Sequence, residues 1–401
     1  METRKMFQGL FLINFFISLG FGINDAFFPL FCQSIGAHGL LLGAAVGGYA
    51  LSKILFSPLM GNMADRFGRR PLVFTSLLLY LLVSCAYLVA ENVWIVVCLR
   101  LLQGASCAMF RPVLQTLIAD HASVDHRGKV MGSFDVSFYA ALCVGPVIGG
   151  MIMDTGGFQS LFSVLILCSL AALGLAISTI PRPLTTKFGL VHESKQPGSR
   201  FLGWRCGTLK GLLIFIFGRA CGITACATFL PILLSSKLDL NGMRVGMVMA
   251  AASLAMTVLL RPFGKLADKA SCRLLVICGG TVVPLLYMLL PFVVTFSQAL
   301  AVTLSIGVFS ALSQPAASAL LAEEGHRNGM GASIGTFHAY LNLGFVAGPL
   351  LGSLVQTATD LHGVFIGIGV VGLCSVLGFA VTTSQTTSLI LAKKGKAYLS
   401  S

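Results

Sequence analysis

The sequence predicts an all-α membrane protein, with twelve transmembrane helices arranged as two six-helix bundles. Three observations carry that expectation. The 401 residues are 56% hydrophobic and only 10% charged, too little polar surface to cover a soluble globule of this size. The apolar residues gather in runs that reach the roughly 20 residues a bilayer crossing needs. Finally, the chain repeats itself at a constant offset of 203 residues. Gly61-Asn62-Met63-Ala64-Asp65-Arg66-Phe67-Gly68-Arg69-Arg70-Pro71 returns in worn form as Gly264-Lys265-Leu266-Ala267-Asp268-Lys269-Ala270-Ser271-Cys272-Arg273. Pro112 matches Pro315, Asp120 matches Glu323, Gly132-Ser133-Phe134 matches Gly335-Thr336-Phe337, and Gly145-Pro146 matches Gly348-Pro349.

The first apolar run, near 7–31, follows the basic residues Arg4 and Lys5. No small-x-small cleavage site comes after it, and it continues through Asn24, Asp25 and Pro29 to a spanning length, so it reads as a retained helix and not a signal peptide. The second run, 39–60, stops at the basic segment 61–71, which reads as a tight cytoplasmic turn into the third, 71–91. Runs at 93–116, 130–152 and 157–180 complete a first set of six. Pro181 to Gly207 is polar, carries three prolines and several basic residues, and is too short to be a folded domain; it reads as a linker. Runs at 208–235, 243–262, 274–296, 298–321, 330–356 and 361–382 make the second set. The expected organisation is therefore a bundle over 1–180, a cytoplasmic linker over 181–207, and a bundle over 208–401 that ends in a short basic tail.

Lys and Arg accumulate on cytoplasmic loops, which sets the orientation. With the N-terminus inside, Arg66, Arg69, Arg70, Arg127, Lys129, the linker, Lys265, Lys269, Arg273, Arg327 and the tail residues Lys393, Lys394 and Lys396 share one side, while Lys237 and Arg244 stand on the other. Both termini are then cytoplasmic. The formal net charge of +13 becomes a topology signal and not a nucleic-acid footprint. The twelve cysteines are scattered, without a Cys-x-x-Cys pair or a histidine at zinc spacing, so they read as apolar packing and no metal is expected. No Gly-rich phosphate loop or nucleophile motif stands in a loop long enough to hold a site; enzymatic chemistry and cofactors are not expected, and energy has to come from a gradient.

The 61–71 segment resembles the G-x-x-x-D-R-x-G-R-R signature of the major facilitator superfamily, and the resemblance extends over the half-length, the linker and the repeat. Arg100, Gln103, Gly104 and Ala108 resemble the R-x-x-Q-G-x-x-x-A pattern of the fourth helix. Gly145-Pro146-Val147-Ile148-Gly149-Gly150 resembles the antiporter motif, although Val136 stands where that motif carries an earlier glycine. Asn24-Asp25 with Pro29 resembles the acidic residue before proline in Bcr/CflA-like drug:proton antiporters. The resemblance implies a secondary carrier in the plasma membrane, in bacteria the inner membrane. Such a carrier works by alternating access, handles a small molecule and protons amid membrane lipid, and acts as a monomer. Proton-coupled efflux is the expected mode. Symport or uniport of an organic anion or nutrient is the alternative, and a non-transporting sensor or assembly protein is the rival of another class.

In the signature segment Gly61 and Gly68 permit close approach and a tight reversal. Asp65 is positioned to accept hydrogen bonds from Arg69 and to meet the positive N-terminus of a neighbouring helix. With Arg66, Arg70 and, by resemblance, Asp120, they form an expected gating latch. The second copy keeps Asp268, Arg273 and Glu323 but has Cys272 in place of Arg69. A plain turn with positive-inside charges is the alternative. Gly145, Gly149 and Gly150, with Gly348 and Gly352 on the repeat partner, offer bare faces for helix packing, while Pro146 and Pro349 introduce kinks. Both helices are expected to form sliding contacts between the halves.

Charges inside the spans are costly unless paired or wetted. Asp25 and Arg100 each lie about eight residues from the outer end of their helix, hence roughly 12 Å deep at ~1.5 Å per residue. A carboxylate holds its charge beside a cation and takes up a proton in apolar surroundings, so motion that alters their contact would switch Asp25 between the two states. Proton coupling is one reading of the pair, and a static link between helices is the other. Nearer the cytoplasm Lys53, Arg111, Asp135 and His338 form a second level, with Lys53 also able to snorkel to the interface and His338 also readable as packing. Arg219 breaks the repeat, its counterpart being Phe16. Because these spans hold more basic than acidic groups, an anionic or zwitterionic substrate stands beside a lipophilic cation. Asn14, Asn24, Gln314 and Asn342 complete the expected cavity wall.

Overall fold

The computed structural model describes residues 2–121, 127–180 and 207–399, and among them the chain is helical throughout, without a strand. The helices are α1 Glu2–Asp25, α2 Phe28–Ser34, α3 Leu40–Phe67, α4 Arg69–Tyr87, α5 Val93–His121, α6 Arg127–Thr179, α7 Gly207–Leu238, α8 Gly242–Ala267, α9 Cys272–Leu289, α10 Phe296–Asn328, α11 Met330–Ala358 and α12 Leu361–Leu399. A 53-residue helix would be roughly 80 Å long at ~1.5 Å per residue, far more than one crossing needs. At Gly157 the backbone leaves helical geometry, with φ 62° and ψ −160°, so α6 supplies the fifth and sixth spans. Since α1 and α2 share one crossing, the described residues make twelve spans.

The expected first helix, 7–31, is broken. Pro29 has no N–H to offer the carbonyl four residues back, which is that of Asp25, and its ring crowds that oxygen. The chain therefore ends α1 at Asp25 and restarts at Phe28, with proline in the first turn, where its missing N–H costs nothing. A second correction concerns 61–71, which is helix up to Phe67; only Gly68 leaves it, at φ 86° and ψ 157°, before α4 begins at Arg69. One residue at positive φ reverses the chain, and glycine adopts that conformation without strain. At the repeat position Ser271 cannot do the same cheaply, and the second copy spends four residues, 268–271, on its turn.

Within the first half α1 packs on α6, and α5 on α3 and α4; within the second, α7 packs on α11 and α12, and α10 on α8 and α9. The halves meet through α6 against α8 and α3 against α11. The glycines of the fifth and eleventh spans divide between these two jobs. A Cβ at Gly145 would meet Gly22 and Ile23 of α1 at 2.8–3.0 Å, one at Gly149 would meet Ile23 and Phe27, and Gly348 and Gly352 face α7 at Cys221, Ala225 and Phe229; all four close contacts lie within a half. Gly150 faces Gly242 and Met243 of α8 across the halves, Gly246 faces Pro146 and Val147, and Gly43 faces the Pro349 carbonyl and Leu350. The sliding contacts expected of both glycine-rich helices thus narrow to Gly150 and the backbones at Pro146 and Pro349. Large apolar side chains such as Leu82, Trp94, Leu167, Val258, Leu274 and Leu377 stand 58–64% exposed around the outside. A soluble protein rarely exposes apolar surface on this scale, and a bilayer covers it.

Candidate functional site

Between the halves lies a cavity of about 340 Å³, walled mostly by the first half and closed on the other side by α7 at Thr224 and Thr228 and by α11 at Asn342 and Phe345. Asp25 enters it from the broken end of α1, and Arg100 from α5. The two form an ion pair, with the Arg100 side chain only 2% exposed and that of Asp25 34% exposed toward the cavity. The other terminal nitrogen of Arg100 donates to Gln103 Oε1 at 2.8 Å, one helical turn on. Gln103 also accepts from the Tyr87 hydroxyl at 3.2 Å and donates to the Tyr80 hydroxyl at 3.3 Å. The guanidinium carbon sits 3.8 Å from the centre of the Phe28 ring, with Tyr49 at 5.6 Å and Phe21 at 5.9 Å. Ring faces carry negative charge density, so a delocalised cation can leave water here at lower cost than an ammonium could. Its Nε has no partner among the described residues, a buried donor left over inside the cage.

Of the polar residues expected on the wall, Asn14, Lys53, Arg111 and Asn342 line the cavity. Asn14 donates to Ser137 Oγ at 2.7 Å and to the Phe134 carbonyl at 3.2 Å, tying α1 to α6. Lys53 lies 5.9 Å from the Tyr49 ring centre and Arg111 3.7 Å from that of Phe138. Asn342 donates to the His338 carbonyl at 2.8 Å. Asn24, Gln314 and His338 are not among the lining residues. Asn24 is 2% exposed, with Nδ2 lacking a partner among the described residues. Arg219 turns away from the central cavity toward α10, donating to Ser313 Oγ at 2.7 Å and to the Ser310 carbonyl at 3.3 Å, and borders a separate small cavity inside the second half. Two serines one turn apart take two of its donors there, which draws the side chain out of the position expected of it. The side chain of Asp135 lies outside the described residues.

The residues expected to form a latch occupy the end of the molecule where Gly68 reverses the chain. Gly61, Asp65 and Arg66 fall in the last turns of α3 and Asp120 in the last turn of α5, with side chains outside the described residues. Arg69 opens α4, and Arg70 lies over the Phe74 ring at 5.3 Å. In the second copy Asp268 follows α8 and Glu323 sits on α10, while Arg273 donates to the Ala380 carbonyl of α12 at 3.0 Å.

The family model described as Major Facilitator Superfamily matches residues 10–336 and, again, 212–397. The chain belongs to the major facilitator superfamily. It is a multi-pass membrane transporter of small molecules, not an enzyme. It is similar to multidrug resistance protein 2 of Bacillus subtilis, with 26% identity over 95% of each chain. The multidrug resistance efflux pump PmrA homologue of Lactococcus lactis is 24% identical, over 90% of this chain and 91% of that one. In fold it resembles the crystal structure of the nucleoside transporter NupG, with a TM-score of 0.78, 12% identity, and 94% of this chain and 99% of that one covered.

In this member of the superfamily the part played by Asp154 was not legible before the halves were placed together. Its carboxylate leaves the fifth span and accepts from the backbone N–H of Gly242 at 2.6 Å and of Met243 at 2.9 Å, capping α8 of the opposite half. A charged cap at a helix N-terminus satisfies free donors and meets the positive end of the helix dipole. The close contacts between halves at Gly43, Gly150 and Gly246 lie at this same end, opposite Gly68. Asp154→Ala removes the acceptor from both amides. It should raise labelling of cavity cysteines from the Asp154 end several-fold, about 1 kcal/mol of bias. Unchanged labelling would mean that the cap does not hold the halves together.

Proposed function

We propose that this transporter exports amphipathic small molecules in exchange for protons, with Asp25 as the coupling carboxylate and Arg100 as its partner. The observation that carries the reading is the pair itself: a fully buried, caged cation holds a carboxylate that opens onto the central cavity. A proton on Asp25 cancels the attraction to Arg100, and loss of the proton restores it. Movement of the cavity from one face to the other gives each step its own side of the membrane. Apolar and aromatic walls suit lipophilic cargo, and of the two relatives one is named as a multidrug resistance protein and the other as a multidrug resistance efflux pump homologue.

Basic residues accumulate at the Gly68 end, which the positive-inside rule makes cytoplasmic in the plasma membrane, with both termini inside. The cavity is then closed outward by Asp154 and the glycine contacts. Residues 1–180 and 208–401 rock as two units about it, joined by the cytoplasmic linker 181–207 of a monomer, and Asp65, Arg69 and Asp120 latch the inner end when the outer one opens. A second reading, export of an organic anion, is favoured by the three basic residues Lys53, Arg100 and Arg111 in the described lining beside one carboxylate, Asp25.

Purified protein in vesicles under an imposed pH gradient, with a trapped pH dye, tests both readings. Lipophilic cations should collapse the gradient, and a protonophore should stop their accumulation. Accumulation that ignores the protonophore would end the proton-coupled reading. A response confined to organic anions would replace the first cargo class with the second.

A further inference from the structure

Arg219 presents the opposite problem to Arg100. Both are guanidinium groups inside spans, but among the described residues no carboxylate lies within ion-pair distance of Arg219; its two hydrogen bonds go to the neutral Ser313 hydroxyl and the Ser310 carbonyl. A guanidinium carries five donors, so most remain for something else. A charge in the membrane interior without a counter-charge is costly, and such residues mark ion or substrate sites.

The space beside it has the chemistry to supply that counter-charge. The cavity is about 20 Å³, above the roughly 10–15 Å³ one water-sized sphere requires and far too small for an organic cargo. Gly222, Gly279, Gly280 and Gly372 wall it, so its sides are largely backbone. A Cβ at Gly222 would stand 2.8 Å from the Tyr287 ring, and one at Gly280 would stand 2.8 Å from Phe215, so these glycines keep the space open. Ser310 and Tyr287 also line it, and neither hydroxyl donates to protein among the described residues, although Tyr287 is 4% and Ser310 8% exposed. No acidic side chain lines it. Beside the Ser310 carbonyl and Ser313 hydroxyl that take two of its donors, Arg219 keeps further N–H groups, and with two hydroxyls free to donate they surround a one-sphere space that an anion fits.

We propose that this pocket binds a monatomic anion of the halide class, chloride under ordinary conditions, held by Arg219 and the hydroxyls of Ser310 and Tyr287. Ile223 borders both this pocket and the central cavity, which gives the ion its way in. The ion neutralises the second half's interior as Asp25 neutralises the first, without a titratable group. The inference is independent of proton coupling and of the cargo.

Purified protein in detergent, with sodium gluconate replaced stepwise by sodium chloride at constant ionic strength, tests it by thermal unfolding. Ligand that binds only the folded state raises the melting temperature saturably. Chloride and bromide should do so, and sulfate, too large for the pocket, should not. Tyr287→Phe and Ser310→Ala, which remove one donor each and leave the charge, should move the chloride midpoint to higher concentration by about threefold or more, and Arg219→Gln should remove the response if the variant folds. Bromide should give an anomalous peak between Arg219 and Tyr287. Equal stability in chloride and gluconate, a response unchanged in both single-hydroxyl variants, or water alone at that position would each overturn the proposal.

Discussion

Asp25→Asn is expected to abolish accumulation of cargo against a concentration gradient while sparing exchange of cargo for cargo. Asparagine keeps the size of the side chain and an oxygen that can accept from Arg100, but it carries neither the charge nor the exchangeable proton. The cavity should still bind and turn over cargo, but without a proton step the two directions of transport become equivalent. Breaking a fully buried ion pair costs about 3–5 kcal/mol. Asp25 is partly open to the cavity and the cage around Arg100 stays in place, so the loss of stability should be smaller and the variant should reach the membrane. Asp25→Glu restores a titratable group one methylene longer and should recover part of the coupling, which an effect on folding alone would not explain. Arg100→Lys should fail even though charge is kept, because an ammonium cannot reach Asp25 and Gln103 together while stacking on Phe28. The measurement is uptake into vesicles with and without a pH gradient, beside counterflow at zero gradient. Gradient-driven accumulation at the wild-type rate in Asp25→Asn would move the coupling elsewhere or make the protein a uniporter.

That pair was legible because the membrane makes each interior charge expensive, so two opposite charges at one depth point to each other. The break in the first span was legible too, although the sequence reading missed it: Pro29 lies four residues past Asp25, and its missing N–H falls on that carbonyl. Charge density misled at 61–71, where a polar stretch reads as a loop but the chain stays helical and turns on Gly68 alone. Arg219 could not be assigned a direction because α7 is apolar on every side, and a helix without a polar stripe has no readable face. Tyr80 and Tyr87 lie on α4 and hydrogen-bond Gln103 beside Arg100, so their part depends on how α4 docks against α5. Asp154 depends on the docking of two halves almost ninety residues apart in the chain, which no local pattern encodes.

Gly246→Leu is expected to hold the transporter open at the Asp154 end and to reduce transport more than any other substitution outside the cavity. A Cβ at this position would stand 2.8 Å from the Pro146 carbonyl carbon and 3.2 Å from Val147 Cα, backbone atoms of the opposite half that cannot rotate away. The remaining leucine carbons make the conflict larger. Packing inside each half is untouched, since the contact forms only when the halves close. Overpacking of this kind costs about 1–3 kcal/mol and occasionally more. If that cost falls on one of two conformations, the balance between them moves by about fivefold to more than a hundredfold. Gly47→Ala serves as the milder companion, its Cβ meeting the Val346 carbonyl oxygen of α11 at 3.2 Å, where a shift of a few tenths of an ångström accommodates it. A cysteine at Thr224, which faces the cavity, in a background without other reactive cysteines, reports the state through its labelling by an impermeant maleimide added outside. Labelling should rise strongly in Gly246→Leu and slightly in Gly47→Ala, and transport should fall in the same order. Normal transport by Gly246→Leu would mean that α6 and α8 need not meet for the cavity to change sides.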